Sequence, residues 1–200
     1  MAYPAVINFG TGGPNPRIDR SLRITNVGTT TETFAVFAAP GDGPTPVVSI
    51  GTVRLSPGAS TNLPVSWTGS GLRPGQQEGF LRVVGTSTGV ETRVPYWYGV
   101  TSETPAGITV LQTVASARRG ATARDAILFR VTDASGLPLA LAGPDVSMTS
   151  GGGAVRAVVS YDREIPGLYG VTLRLGSAAG ANVVSIRAGE AAVNVSITGR

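Results

Sequence analysis

Apolar and polar residues alternate with a period of two along most of this chain, in short runs cut by Gly, Pro, Asn and Asp. Ser21-Leu22-Arg23-Ile24-Thr25-Asn26-Val27 is one such run; after the turn Gly28-Thr29-Thr30, Phe34, Val36 and Ala38 carry the next. Leu63, Val65 and Trp67 share one parity, and Val90, Val94, Tyr96 and Tyr98 share another. Successive side chains of a strand point to opposite faces, so this period marks half-buried β-strands. Ala5–Phe9, Val47–Ile50, Val53–Leu55 and Phe80–Val84 add shorter strands, and the last strand of this half runs from Val90 to Tyr98. In the second half the pattern predicts strands over Ile108–Val114, Ala126–Thr132, Asp145–Thr149, Val155–Tyr161, Leu168–Leu175, Ala181–Arg187 and Ala191–Thr198. Ile127/Phe129/Val131 and Tyr169/Val171/Leu173/Leu175 alternate most cleanly there. Pro64 cannot donate to a ladder, which predicts an edge or a bulge at that point.

Many short strands joined by turns at spacings of about eight to twelve residues point to β-sandwiches. The break between two of them falls in Val94 to Gly107, where Val94-Pro95-Tyr96-Trp97-Tyr98-Gly99-Val100 gives way to the small, polar Thr-Ser-Glu-Thr-Pro-Ala-Gly. The expected organisation is all-β: a sandwich over residues 1–100, a linker over 101–107 and a second sandwich over 108–200. Nine of the twelve aromatic residues lie in the first half, where they are expected to form most of the core. The second half must fill its core with Val, Ile, Leu and Ala.

Composition sharpens this picture. The 42% hydrophobic fraction is enough to build cores, and 28 Gly and 14 Pro suit strands and turns. There is no Cys, hence no disulfide framework. No apolar run is long enough to span a membrane, and the N-terminus lacks the pattern of a signal peptide, so an exported parent would carry its signal elsewhere. The net charge is +4 and every one of the 16 basic residues is Arg. These arginines are spread along both halves, with only Arg118-Arg119 adjacent; Arg17 and Arg23 share a strand face opposite to Arg20. That distribution reads as solvated surface and argues against nucleic acid as a partner.

With the strands placed, two resemblances emerge. Ile24-Thr25-Asn26-Val27-Gly28, Leu55-Ser56-Pro57-Gly58-Ala59-Ser60, Trp67-Thr68-Gly69, Glu78-Gly79-Phe80-Leu81 and Val94-Pro95-Tyr96-Trp97 occur in the order found in the fibronectin type III-like domain that follows the catalytic domain of subtilisin-like serine proteases. The first half resembles that domain. The second half is similar to bacterial Ig-like domains of the invasin/intimin group, through Val131-Thr132-Asp133-Ala134-Ser135-Gly136-Leu137-Pro138 and through Gly176 to Val183. The resemblances imply two tandem immunoglobulin-like/fibronectin III-like β-sandwich domains. They also imply the C-terminal accessory region of a secreted bacterial subtilase (peptidase S8-like), secreted or at the cell surface.

The residues exclude the chemistry of such a protease within this chain. A Ser-His-Asp triad needs an imidazole base, and the chain has no His. Without Cys or Lys, Cys-His and Ser-Lys catalysis are excluded too, so no enzyme activity and no cofactor are expected. Asp162 and Glu164 flank Arg163 in what reads as a charged turn. Asp42, Asp133, Asp145, Asp162 and Glu164 are dispersed and form no calcium loop motif, so no metal site is assigned. Asn194-Val195-Ser196 fits a glycosylation sequon on the final strand. Tyr96, Trp97 and Tyr98 form a candidate interdomain or surface aromatic cluster, with Trp97 facing opposite its neighbours. Three functional readings stay open. The first is a spacer or tether that positions the catalytic domain of the parent protease. The second is a cell-surface adhesin segment with a protein partner. The third is a carbohydrate-binding module using Trp67 or Trp97.

Overall fold

The computed structural model describes residues 1–39, 43–140 and 143–200. The chain divides after Val100 into two compact units, Met1–Val100 and Thr101–Arg200. Each is an all-β sandwich, with no helix among the described residues.

Unit 1 contains β1 (Ala2–Tyr3), β2 (Ile7–Gly12), β3 (Arg17–Thr25), β4 (Glu32–Ala38), β5 (Val47–Val48), β6 (Thr52–Leu55), β7 (Ser60–Thr68), β8 (Gly75–Gly85) and β9 (Glu91–Val100). They form a four-stranded sheet in the order β1-β3-β7-β5 and a five-stranded sheet in the order β2-β9-β8-β4-β6. Leu22, Ile24, Leu63, Val65 and Trp67 face inward from the first sheet. Ile7, Phe9, Val36, Leu81, Val83, Val94, Tyr96 and Tyr98 face them from the second. Each large apolar side chain taken from water here contributes roughly 1.5–3 kcal/mol. The period-two pattern is therefore the cause of the layering: one parity of every strand can be buried only against the other sheet.

Pro64 sits in the interior strand β7, and the pairing of β3 with β7 runs without a shift from Arg17↔Thr68 to Thr25↔Ser60. This differs from the edge or bulge expected there. The reason lies on the other side of β7. The Pro64 carbonyl accepts the Ser49 N–H at 3.3 Å, and in an antiparallel strand a residue's nitrogen and carbonyl point to the same neighbour. Pro64 cannot return that bond, and β5 is paired only over Val47 and Val48, so the Val47–Ile50 strand expected from the sequence is cut short. β9 runs on to Val100, two residues past the expected end. Asp42 and the start of the Pro40–Pro46 loop lie outside the described residues.

Unit 2 contains β10 (Gly107–Thr113), β11 (Ser116–Ala117), β12 (Thr122–Thr132), β13 (Asp145–Ser150), β14 (Ala154–Ser160), β15 (Leu168–Arg174), β16 (Gly180–Ala188) and β17 (Ala191–Gly199). Its sheets run β10-β12-β15-β14 and β11-β17-β16-β13. The core joins Ile127, Phe129, Val131, Tyr169, Val171 and Leu173 to Val184, Ile186, Val195 and Ile197. Phe129 stacks on Tyr169 with ring centroids 5.4 Å apart. The longer edge strands β10, β13 and β14 each carry a register shift, at Val110/Gln112, Met148/Ser150 and Val155/Ala157. Such bulges interrupt the run of unpaired edge groups and discourage edge-to-edge pairing.

Candidate functional site

The aromatic residues of unit 1 divide between two environments. Trp67 is 1% exposed and is packed by Phe9, Tyr96 and Tyr98 at centroid distances of 5.5, 5.6 and 5.7 Å. Its indole N–H has no partner in the structure. A ring enclosed on this scale offers no stacking face, which removes Trp67 as a carbohydrate platform. Tyr96 and Tyr98 are also core residues. Burial raises the pKa of both phenols. The Tyr98 hydroxyl donates to the Gly13 carbonyl at 2.9 Å, and the Tyr96 ring lies where a side chain on Gly79 would stand. Glycine in Glu78-Gly79-Phe80-Leu81 is thus a space requirement.

Trp97 points the other way, onto the outer face of the five-stranded sheet, and is half-buried. Its indole N–H donates to the Gln76 side-chain oxygen at 3.3 Å. Asn8 and Glu78 stand opposite it on the flanking strands. Pro95 faces Phe80 and Arg93 faces Arg82 across β8 and β9, while Phe37 faces Arg82 across β4 and β8. Phe37 and Phe80 remain 40% and 45% exposed. Phe37, Phe80, Pro95 and Trp97 therefore form an apolar strip on a sheet face that alternation would otherwise make polar. This corrects the expectation that the aromatic residues of this half are mainly core. Parity alone locates the exceptions, because Phe37 alternates against Val36 and Phe80 against Leu81.

Charges frame the strip. The Arg82 guanidinium lies 5.5 Å from the Phe37 ring centre, a cation–π arrangement. Arg82 and Arg93 would repel across the strands, but both bind Glu91: Arg82 donates to one carboxylate oxygen and Arg93 to the other at 2.8 Å. These bonds, from Arg82 first and Arg93 second, hold the Glu91 carboxyl down at about 2. At the end of the same sheet the Glu32 carboxylate accepts the backbone N–H groups of Thr33, Ser87 and Thr88 at 2.9, 3.0 and 3.2 Å. Its pKa is lowered, chiefly by the Ser87 bond. Glu32 fastens the turn between β8 and β9.

In unit 2 the carboxylates weighed for metal binding are placed in turns or at strand ends. Asp133, 3% exposed, accepts the N–H groups of Ser102, Ser135 and Leu137 at 2.8, 2.9 and 2.9 Å. Asp162 accepts the Gly167 N–H at 2.9 Å, and Asp145 begins β13, at the register position opposite Arg187 of β16. Among the described residues no three such ligands come together. Asn194 lies exposed on β17 opposite Ser185. One feature was not visible in the sequence: Asp125, in the bulge of β12, has a positive φ of 44° and accepts the Tyr161 hydroxyl at 2.9 Å. That bond is the main reason the Tyr161 pKa is raised.

No protein-family description and no curated protein matches the chain. The solved structures to which the chain is similar match it at low identity and with TM-scores below 0.5. A protein of unknown function from Porphyromonas gingivalis W83 is 16% identical with a TM-score of 0.46, over 100% of this chain and 98% of that one. The YadV chaperone is 11% identical with a TM-score of 0.42, over 99% and 98%. Domains 4 and 5 of the S-layer protein SbsC are 19% identical with a TM-score of 0.40, over 65% and 67%. Likenesses of this order assign no activity.

Proposed function

We propose that the chain is a non-catalytic accessory module that positions a partner domain, and that the Trp97 face of unit 1 is the surface it uses. The observation that carries this reading is the apolar strip of Phe37, Phe80, Pro95 and Trp97 on an outward sheet face. A water-facing strip of this kind suits burial against another protein, with aromatic residues at its centre and charged residues at its rim. The resemblance of residues 3–100 to the domain that follows subtilase catalytic domains makes such a catalytic domain the proposed partner, in a secreted or cell-surface protein. The lack of His, Cys and Lys in this chain leaves hydrolysis to that partner.

Calorimetric titration with a subtilisin-type catalytic domain, its nucleophilic serine changed to Ala, tests this directly. Binding is expected for the native chain and is weakened at least roughly tenfold by Phe80→Ser, the scale of a central interface residue. No heat at high micromolar concentration, or a Phe80→Ser variant that binds as the native chain does, overturns the proposal. The adhesin reading places a host or matrix protein on the loops of the second domain instead. The carbohydrate reading keeps Trp97 alone.

A further inference from the structure

Unit 2 is electrically polarised along its strands. Of its seven carboxylates, Glu103, Asp133, Asp145, Asp162, Glu164 and Glu190 lie at or beside the end where β10 begins, β12 ends and the β16–β17 hairpin turns. Asp125 is the seventh, and its carboxylate is turned to Tyr161. The opposite end carries Arg118, Arg119, Arg156, Arg174 and Arg200, all exposed. Among the described residues none of these five forms an ion pair with a carboxylate side chain.

Four separate segments bring them together. Arg174 faces Thr122 on one side and Ala154 on the other, and its Nε donates to the Gly120 carbonyl at 3.4 Å. The Arg119 N–H donates to the main-chain oxygen of Arg200, and the Arg200 N–H to the Ala117 carbonyl, both at 3.0 Å. Gly120 N–H bonds to Gly176 at 2.9 Å, and Gly176 N–H to the buried Asn182 side chain at 2.8 Å. These bonds fix the loops. Between them lies a recess of about 260 Å³ lined by Gly120, Gly152, Gly153, Arg156, Arg174 and Ser177 among others. Gly120 and Gly152 face open space there, and two guanidinium groups border it.

We infer that this end of unit 2 binds an acidic polysaccharide, one carboxylate or sulfate group seated between Arg156 and Arg174 and further ones against Arg118, Arg119 and Arg200. Guanidinium groups recognise such oxyanions with paired, charge-assisted hydrogen bonds. A polymer with charges at regular intervals matches arginines spread around a rim. Other polyanions fit less well. The loops around the recess carry Gly, Ser, Ala and Arg, and the one large aliphatic residue lining it, Leu175, is 2% exposed and packed into the core, so no apolar side chain is free to enter a membrane. A single-stranded nucleic acid needs aromatic platforms, and Phe129 and Tyr169 are core residues while Tyr161 lies towards the acidic end. An acidic peptide adding to β14 would meet the register shift at Arg156.

The test is binding of the full chain to heparin (sulfated) and polygalacturonate (carboxylated), by calorimetry at low and physiological salt. The expected result is salt-sensitive binding to at least one, weakened roughly tenfold or more in the Arg156→Gln/Arg174→Gln double variant. Arg163→Gln/Arg187→Gln removes the same charge at the other end and is expected to stay within about twofold, since exposed charges at that distance are screened. Thermal melts confirm that each variant is folded. The inference is overturned if neither polymer binds, or if both double variants lose affinity equally. It is also overturned if duplex DNA or polyglutamate binds more tightly with the same dependence on Arg156 and Arg174.

Discussion

Changing Asp133 to Ala removes the acceptor for three backbone donors at once. The carboxylate is 3% exposed and takes N–H groups from Ser102, Ser135 and Leu137. The Leu137 bond is buried, so its donor is left without water and costs about 1–3 kcal/mol. Ser102 and Ser135 are half-buried or exposed and can rehydrate, at about 1 kcal/mol each. The expected loss is therefore about 3–5 kcal/mol. Asp133→Asn separates the causes: its amide oxygen keeps Ser135 and Leu137, while its NH₂ meets the Ser102 N–H, donor against donor, for a loss of about 1–2 kcal/mol. Urea unfolding of the full chain reads both. Trp67 and Trp97 both lie in unit 1, so tryptophan fluorescence follows that unit while circular dichroism follows both. With a slope of roughly 1.5 kcal/mol per molar urea, the dichroism transition assigned to unit 2 should fall by about 2–3 M in Asp133→Ala. A shift below about 0.5 M, or an equal shift for Asn and Ala, would refute the role given to this carboxylate.

Three further outcomes follow from the same geometry. Glu91 titrates at about 2 in the folded chain against 4.5 in the unfolded one, and Glu32 is also lowered. Their contribution to stability is present above pH 4.5 and is lost as pH falls towards 2, so acid melts followed by tryptophan fluorescence should show that loss, reduced in Glu91→Gln. Trp67→Ala should cost about 3–5 kcal/mol, but Trp67→Phe less than half of that, because it also removes an indole N–H that has no partner; urea melts decide. Gly176→Ala would drive a methyl group into the Gly151 backbone, whereas Gly152→Ala meets open space and only the strain of a φ of 69°. The first should lower stability by about 3 kcal/mol or prevent folding, and the second by about 1 kcal/mol.

Much of the sandwich was legible because burial acts through parity. Leu63, Val65 and Trp67 had to share a face, and they do. The turn Asp133–Gly136 was legible for a similar local reason: an Asx side chain caps the N–H groups just beyond it. Tertiary context decided the rest. Pro64 signals an edge by residue type, yet it lies in an interior strand whose outer neighbour is too short to require its missing N–H. Phe37 and Phe80 belong with the core by residue type alone, whereas their parity puts them outside. Of the cluster Arg118, Arg119, Arg156, Arg174 and Arg200, only the adjacent pair Arg118-Arg119 shows in the sequence; strand pairing and main-chain bonds bring the other three to it from up to some eighty residues away. The positive φ of Asp125 arises from a bulge set by the partner strand, which the local sequence does not encode.

The most direct measurement of the proposed docking face is acrylamide quenching of single-tryptophan chains, with and without an inactivated subtilisin-type catalytic domain. In Trp97→Phe the remaining Trp67 should resist the quencher throughout. In Trp67→Phe the remaining Trp97 should be quenched in the free chain and become shielded when the catalytic domain is added. A Trp97 that is as protected as Trp67 in the free chain, or that quenches equally with and without the catalytic domain, would contradict the account.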